Sequence, residues 1–246
     1  MRRACHAPAS FKVSHTIDLF RLDGKIALVT GGAGLYGRHI VLALAEAGAL
    51  VIVASRDRNK CCAFAEELCG EGLQVEGDSL DLARESDIRA LRDRIVARHG
   101  KLDVLFNNAV MRAGGDLRHT TAAEWEEAMR VNSTGLFLAC QIFSELMQAQ
   151  VSGSIVNISS IYGMVGPDFS IYEGTSLTNP VYYAFAKGGM INLTRYLASF
   201  LAPYNIRVNC LSPGGFKVEG MPESFLRNYC RKTLLARMAE ADDRTT

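Results

Sequence analysis

The sequence predicts an α/β protein in which a single domain is built around a doubly wound parallel sheet. From Asp23 onward, short and almost wholly apolar runs alternate with longer stretches of helical pattern. Such runs are typical of strands buried on both faces of a parallel sheet. A glycine-rich turn joins the first run to the first helical stretch. Repeated strand–helix–strand units imply right-handed crossovers, with ligand beyond the carboxyl ends of the strands.

The predicted elements follow one another without an internal repeat or a low-complexity linker. The predicted strands are Ile26–Thr30, Leu50–Ala54, Leu73–Gly77, Asp103–Asn107, Ser154–Ile158 and Ile206–Cys210. The predicted helices lie near 36–47, 58–69, 85–99, 122–149 and 182–202. Residues 1–18 show neither helical nor strand periodicity. We therefore expect a disordered extension there and a domain over 19–246.

Composition and charge exclude several classes of protein. Of the 246 residues, 48 % are hydrophobic and 22 % are charged, which is typical of a globular domain. Lys and Arg number 27 against 26 Asp and Glu, and this net charge of +1 gives no reason to expect nucleic acid as a partner. The longest apolar stretch, Val41 to Ala54, contains Glu46 and is too short to cross a bilayer.

The seven cysteines predict neither a disulfide framework nor a metal site. Their number is odd, no C-x-x-C pair occurs, and none has zinc-ligand spacing to a histidine. Arg2 and Arg3 begin the chain, but no apolar core of a secretory signal follows them. We therefore expect reduced thiols, a cytoplasmic location and no membrane attachment.

The turn Gly31–Gly37 follows the first predicted strand and leads into the first predicted helix. This is the context that a dinucleotide-binding fingerprint requires. Glycine has no Cβ, so backbone N–H groups can approach a pyrophosphate closely. The helix N-terminus adds partial positive charge for the same anion. The turn therefore predicts a Rossmann-like dinucleotide site.

The residues that follow the second predicted strand determine the choice between NAD and NADP, and here they are Ser55 and Arg56. An acidic residue there would bind the adenosine ribose of NAD, whereas a basic residue can bind the 2′-phosphate of NADP. A hydroxyl followed by a guanidinium suits phosphate. We expect NADP(H) in preference to NAD(H), with the alternative that Asp57 neutralises Arg56.

Four residues form a coherent set for ketone reduction. Tyr183 and Lys187, four positions apart in a predicted helix, share one face. A tyrosine hydroxyl can protonate the alkoxide left by hydride addition, once a nearby ammonium lowers its pKa by about 3 units, or about 4 kcal/mol. Ser160 is predicted to hold the carbonyl oxygen, and Asn132 to order a water that relays protons from Lys187.

With these residues the chain resembles the short-chain dehydrogenase/reductase family over about Leu19 to Glu240. The motifs that carry the likeness are the glycine turn, Asn107-Asn108-Ala109, Asn132, Ser160, Tyr183 with Lys187, and Val208–Gly214. The likeness implies the catalytic residues Asn132, Ser160, Tyr183 and Lys187 and assembly as a homodimer or homotetramer. The cofactor contacts that it implies are Gly31, Gly34, Leu35, Tyr36, Gly37, Ser55, Arg56, Asp81, Leu82, Asn108, Ala109, Tyr183, Lys187, Pro213 and Gly214.

Several departures from the family pattern bear on the substrate and the fold. Leu35 stands where the short branch has glycine, and Ser160 and Tyr183 are 23 positions apart because Pro167–Pro180 looks inserted. The hydroxyls and aromatics of that loop suit a sugar or polyol. The stretch Ser160–Lys187 is similar to reductases of bacterial surface-sugar and flagellin-modification pathways. The chain stops where a further helix and a seventh strand are usual, so we expect a sheet without that strand.

Three functions stay open at this point. The first is an NAD(P)H-dependent carbonyl reductase or alcohol dehydrogenase acting on a small carbonyl or alcohol substrate. The second, suggested by the spacing of Gly31, Gly34 and Gly37, is a nucleotide-sugar epimerase or dehydratase that keeps NAD bound. The third is a non-catalytic, cofactor-binding homologue, suggested by the short C-terminal region. The Asn107-Asn108-Ala109 and Val208–Gly214 motifs favour the first.

Overall fold

Six parallel strands form one sheet in the order β3-β2-β1-β4-β5-β6 in the computed structural model, which describes residues 15–241 and 243. The strands are β1 Ile26–Thr30, β2 Leu50–Ser55, β3 Val75–Ser79, β4 Val104–Asn107, β5 Gly153–Ile158 and β6 Ile206–Leu211. The helices are α1 Leu35–Glu46, α2 Arg58–Gly70, α3 Glu85–His99, α4 Ala122–Met129, α5 Leu136–Gln150, α6 Val181–Leu201 and α7 Glu223–Lys232. This architecture confirms the predicted doubly wound, single-domain fold.

The core lies on both faces of the sheet, because the central strands have apolar residues at nearly every position. All five residues of β1 are buried. One face packs against α1 and α2, through residues such as Val41 and Phe64. The other face packs against α3, α5 and α6, through residues such as Leu91, Phe143 and Met190. Burial on two faces explains why these strands read as continuous apolar runs.

The predicted strands agree with the observed ones within one or two residues. The largest difference is β3, which begins at Val75 and not at Leu73. The N–H of Leu73 donates to Leu68 O at 3.1 Å and so caps the C-terminal end of α2 before the strand begins. The predicted helix over 122–149 is observed as α4 and α5, joined by a π-helical segment at Arg130–Gly135. π-helical segments are frequent at functional sites.

Helix α7 was not predicted, although its pattern is amphipathic. Phe225 and Tyr229, one turn apart, are buried together with Met238 and Ile171. No strand follows β6 among the described residues, and β6 is an edge of the sheet. Phe216, after β6, instead forms an isolated parallel bridge with Ala239. The region after β6 therefore folds over the carboxyl end of the sheet.

The start of the chain is described only in part. Thr16–Phe20 forms a 3₁₀ helix without a buried residue. Positions 1–14 of the expected extension lie outside the described residues, and the boundary at residue 18 stays a prediction. In the part of the chain that the structure covers, every helix is too short or too polar to cross a membrane.

Candidate active site

A cleft of about 1080 Å³ opens at the carboxyl edge of the sheet, beside β1 and β4. At this point the strand order reverses, which is where open α/β sheets bind ligands. We call residues 30–31, 33–36, 54–57, 60, 80–82 and 108–110 the cofactor half of the cleft, and residues 111–112, 161–162, 172, 177–180, 216, 218–222, 225, 229 and 238 the substrate half. Ser160, Tyr183 and Lys187 line the cleft between the two halves.

The glycine turn brings main chain close to main chain. Gly31 has φ +65°, in the region that favours glycine, and a Cβ there would lie 2.9 Å from Ala109 Cα. A Cβ on Gly37 would clash with Gly31 O and with Gly32 Cα. Helix α1 begins at Leu35, so the first N–H groups of this helix have no acceptor within it. These N–H groups and the helix dipole fit an anion such as a pyrophosphate.

Thr30 and Asn108 connect the turn to the end of β4. Thr30 Oγ1 accepts hydrogen bonds from the N–H groups of Asn108 and Ala109, both at 3.1 Å. Asn108 Nδ2 donates to Thr30 O at 3.1 Å and to Gly31 O at 3.0 Å. The floor of the cofactor half is therefore fixed by hydrogen bonds to backbone groups of both strands.

Arg56, at the end of β2, lines the cleft without a carboxylate partner among the described residues. Asp57 does not pair with it, because its side chain accepts from Lys60 N at 3.0 Å and caps α2. Ser55 Oγ lies 3.0 Å from Cys61 Sγ. After β3, Asp81 lines the cleft beside Leu82. This end of the cleft therefore offers a free guanidinium to an anion.

The residues present fit a nicotinamide dinucleotide. The turn is packed so closely that a Cβ at Gly31 or Gly37 would meet backbone atoms, and the cleft runs from this turn to Tyr183 and Lys187. All the cofactor contacts named from the sequence line this cleft except Gly37, which packs beneath the turn. Tyr36 spans the cleft, since its hydroxyl donates to Gly214 O at 2.8 Å. Burial raises the pKa of Tyr36 to about 12.

Tyr183, Lys187 and Ser160 all line the cleft. Tyr183 and Lys187 lie one turn apart on α6, and Lys187 Nζ is 5.7 Å from the centre of the Tyr183 ring. Ser160 follows β5 and is buried, with its Oγ accepting from Tyr162 N at 3.2 Å. As an acceptor in that bond, the Ser160 hydroxyl keeps its own proton for another partner.

Lys187 is a buried cation. Its side chain reaches the end of β5, where Nζ donates to Ile158 O at 2.6 Å. The pKa of Lys187 is lowered to about 8, mainly by burial, with Cys210 opposing the shift and Arg112 adding to it. At neutral pH the ammonium is still the major form, and it lies where it can stabilise a phenolate at Tyr183.

Asn132 does not line the cleft with the other three predicted catalytic residues. It lies in the π-helical segment, and its Oδ1 accepts from Met111 N while its Nδ2 donates to Met111 O, both at 2.9 Å. The observed contact of this side chain is thus with the loop after β4. Its predicted role in a water relay stays a prediction.

The substrate half is lined by aromatic and amide side chains. The loop at Pro167–Pro180 contributes Tyr172, Leu177, Thr178, Asn179 and Pro180 to its wall. Tyr172 packs against Phe225 of α7 with ring centres 5.5 Å apart. Asn179 is buried, and its Oδ1 has no hydrogen-bond partner among the residues that the structure describes.

Sequence reasoning missed three residues of this wall. Tyr229 accepts from Gly215 N at 2.6 Å, and Met238 is buried beside it. Both line the cleft, as does Arg112, which follows Asn107-Asn108-Ala109 by three positions. The one-turn spacing of Phe225 and Tyr229 was a usable signal for α7, whereas nothing in the local pattern marks Met238 or Arg112.

The fold and the cleft define a dinucleotide-binding α/β enzyme. The chain belongs to the short-chain dehydrogenase family, whose model, described as short chain dehydrogenase, matches residues 25–227. It is accordingly an NAD(P)-dependent oxidoreductase that acts on CH–OH groups. This family match confirms the resemblance inferred from the motifs.

The relatives of this chain include enzymes that act on acyl substrates and enzymes that act on sugar acids. The 3-oxoacyl-(acyl-carrier-protein) reductase FabG of Thermotoga maritima is 33 % identical over 221 residues, covering 89 % of this chain and 84 % of that protein. The 5-keto-D-gluconate 5-reductase of Escherichia coli K12 is 30 % identical over 231 residues, covering 92 % and 87 %. A gluconate 5-dehydrogenase of Burkholderia cenocepacia, solved with NADP and tartrate, aligns with TM-score 0.82 and 31 % identity, covering 94 % and 88 %.

Proposed function

We propose that this protein interconverts a ketone and a secondary alcohol of a sugar or polyol derivative, with Tyr183 as general acid and base and with NADP(H) favoured over NAD(H). The observation that carries the proposal is that Ser160, Tyr183 and Lys187 line one cleft that also contains the glycine turn. The match to the short-chain dehydrogenase family favours this activity over the nucleotide-sugar epimerase alternative.

Each of the three residues has a distinct task in the proposed reaction. A bound nicotinamide ring would supply or accept the hydride. The Ser160 hydroxyl donates to the carbonyl oxygen and holds it beside Tyr183. Tyr183 gives its proton to the developing alkoxide in reduction and removes the proton of the alcohol in oxidation. The ammonium of Lys187, held by Ile158 O, lowers the cost of the phenolate.

The substrate class is supported by the wall of the substrate half. Tyr172, Thr178 and Asn179 provide hydroxyl and amide groups there, which suit a hydroxylated substrate better than an acyl chain. The sugar-acid relatives support the same class. A role in a bacterial surface-sugar or flagellin-modification pathway stays a prediction.

The preference for NADP(H) is supported by Arg56, which faces the cleft without an acidic partner among the residues described. A guanidinium at this position can bind the 2′-phosphate of the adenosine ribose. The gluconate 5-dehydrogenase structure contains NADP, which agrees with this preference.

Location and assembly extend the proposal. The six described cysteines are all free thiols, which supports a reducing compartment such as the cytoplasm. A homodimer or homotetramer remains our expectation for the assembly. Neither nucleic acid nor a membrane is proposed as a partner.

The central test is the variant Tyr183→Phe. Removing the hydroxyl removes the proton donor, so kcat should fall by about 10² to 10⁴. The ring stays in place, so the dissociation constant for NADPH should change by less than about threefold. Turnover is followed by NADPH oxidation with a panel of ketones, and cofactor binding by fluorescence.

Tyr162→Phe is the matched control, since Tyr162 is a second phenol on the cleft wall. Burial and the neighbouring Tyr172 hydroxyl raise the pKa of Tyr162 well above its usual range, so it is a poor candidate for proton exchange. This variant should keep most of its turnover. Comparable turnover by Tyr183→Phe and the native protein would refute the assignment of Tyr183.

A further inference from the structure

Arg112 lies on the wall of the cleft, and the proposed reaction does not use it. The residue is exposed, and its guanidinium has neither an ion-pair partner nor a hydrogen-bond acceptor in the described chain. It lies in the loop after β4, five positions beyond the last residue of that strand. A free guanidinium in a cleft is available to an anionic ligand.

The backbone on both sides of Arg112 is held by buried side chains. Asn132 makes two hydrogen bonds of 2.9 Å to the backbone of Met111. The Tyr182 hydroxyl donates to Met111 O at 2.8 Å and accepts from Ala113 N at 3.1 Å. Tyr182 itself is 0 % exposed. An exposed cation is thus presented from a fixed stretch of chain, an arrangement that favours specific binding.

The charge around Arg112 also favours an anion. Arg112 is close enough to Lys187 to lower its pKa, in addition to the larger effect of burial. Of the acidic residues that line the cleft, Asp57 and Asp81 lie in the cofactor half, and Glu219, on the loop after β6, is the acidic residue of the substrate half in the described chain. A bound anion would therefore reduce the repulsion between two cations.

We propose that Arg112 binds a carboxylate of the substrate, which makes the substrate a hydroxylated keto acid or the corresponding hydroxy acid. This inference rests on the proposed function and narrows its substrate class. The guanidinium fork matches a carboxylate in a bidentate pair. Of the four cations that line the cleft in the described chain, Arg56 and Lys60 lie in the cofactor half and Lys187 is occupied by Ile158 O, which leaves Arg112 for the substrate. A single free cation suits a monoanionic carboxylate better than a phosphate dianion.

The neutral end of such a substrate would meet the amide and hydroxyl groups of the inserted loop. Asn179 lines the cleft and stands four positions before Tyr183 in the sequence. Its Oδ1 accepts no hydrogen bond from the described residues. A buried acceptor without a donor is unfavourable until a donor reaches it. A substrate hydroxyl is such a donor once the amide turns toward the cleft.

The experiment compares three ketones with NADPH. They are 5-keto-D-gluconate, its neutral methylamide and fructose 6-phosphate. The native protein should prefer the keto acid over the amide by about tenfold or more in kcat/KM. In Arg112→Gln this ratio should fall about 10- to 100-fold, mainly through KM, because a charge-assisted hydrogen bond is lost. The ratio for Arg112→Lys should lie between those of the native protein and Arg112→Gln, since lysine keeps the charge but cannot form the bidentate pair of a guanidinium.

Arg118→Gln is the matched control, since Arg118 is an exposed arginine of the same loop that does not line the cleft. It should keep the native ratio. An equal ratio in Arg112→Gln and the native protein would overturn the inference, as would a native preference for the phosphorylated ketose or for the amide.

A binding measurement separates this inference from the proposed function. Tartrate, a hydroxylated dicarboxylate, is titrated into the NADP⁺-loaded protein by calorimetry. Arg112→Gln should weaken tartrate binding about 10-fold or more, while Arg118→Gln should not. Failure of every ketone, including a neutral diketone, would refute the proposed function. Tartrate binding that is absent in the native protein or equal in Arg112→Gln would refute the role of Arg112.

Discussion

At the end of β1 the cleft is shaped by main chain, whereas its opposite wall is shaped by packed side chains. In the cofactor half, Thr30, Gly31 and Asn108 are joined by hydrogen bonds to backbone groups of neighbouring strands. In the substrate half, Tyr172 and Phe225 pack together with ring centres 5.5 Å apart. Hydrogen bonds between strand ends leave little freedom, while an aromatic wall can be rebuilt with other side chains of similar volume.

This difference matches the division of labour in the proposed reaction. NAD and NADP share the pyrophosphate and the nicotinamide, so the part of the cleft that holds these groups can be built from backbone. Substrates differ, and exposed side chains such as Arg112 can change without disturbing the sheet. Conserving the backbone-built half while varying the other is one way for a single fold to serve many substrates.

The largest predicted effect is that of Gly37→Ala in the cofactor half. The added Cβ would clash with Gly31 O and Gly32 Cα, which are backbone atoms and cannot move aside without shifting the turn. We expect NADPH affinity to fall about 100-fold or more and the free energy of unfolding to fall by about 1–3 kcal/mol. Fluorescence titration and urea unfolding measure the two quantities.

Gly166→Ala is the same substitution on the loop beyond Ser160, where an added Cβ meets nothing within 4 Å. Its unfolding free energy should stay within about 0.5 kcal/mol of the native value. If Gly37→Ala bound NADPH as tightly as Gly166→Ala, the cofactor half would not depend on backbone packing as described.

The second effect concerns Lys187, which lies between the halves. Burial lowers its pKa from 10.5 to about 8, and this shift corresponds to about 3 kcal/mol of destabilisation while the ammonium is charged in both states. Lys187→Met removes that cost but leaves Ile158 O without its donor, which costs about 1–3 kcal/mol. We therefore expect a variant that is inactive but up to about 2 kcal/mol more stable at pH 7.

The stability difference between Lys187→Met and the native protein should depend on pH. Between about pH 8 and 10.5 the unfolded chain binds the proton that native Lys187 has lost, so native stability rises with pH there. The advantage of Lys187→Met should be largest below pH 8 and should disappear toward pH 10.5. Lys217→Met, at an exposed lysine, should show no such trend in urea unfolding measured across this range. If the difference in unfolding free energy between Lys187→Met and the native protein stayed constant with pH, burial would not shift the pKa of Lys187.

The smallest effect tests the one part of the cofactor half that depends on an exposed side chain. Arg56→Gln should raise the KM for NADPH about tenfold and leave the KM for NADH within about twofold, because the guanidinium would contact only the 2′-phosphate. Arg58→Gln, an exposed neighbour that does not line the cleft, is the control. Equal changes in the two KM values would mean that Arg56 does not read the phosphate.

How far the sequence could predict the molecule follows the same division. The strands, the glycine turn and the Tyr183–Lys187 pair are local patterns, in which spacing along the chain fixes spacing in the fold. The substrate half depends on contacts between distant positions. Asn132 reaches Met111 across 21 positions, and Tyr229 reaches Gly215 across 14. No periodicity records such contacts, so the contact between Asn132 and Met111 could not be predicted and Tyr229 was missed.

The parallel bridge between Phe216 and Ala239 joins two segments of the chain at the wall of the cleft. Lys217 N donates to Ala239 O at 2.8 Å, and Ala239 N donates to Gly215 O at 3.0 Å. Neither strip can swing away alone without breaking both bonds. Any movement of this wall that admits a substrate or releases a product would therefore have to carry both segments together.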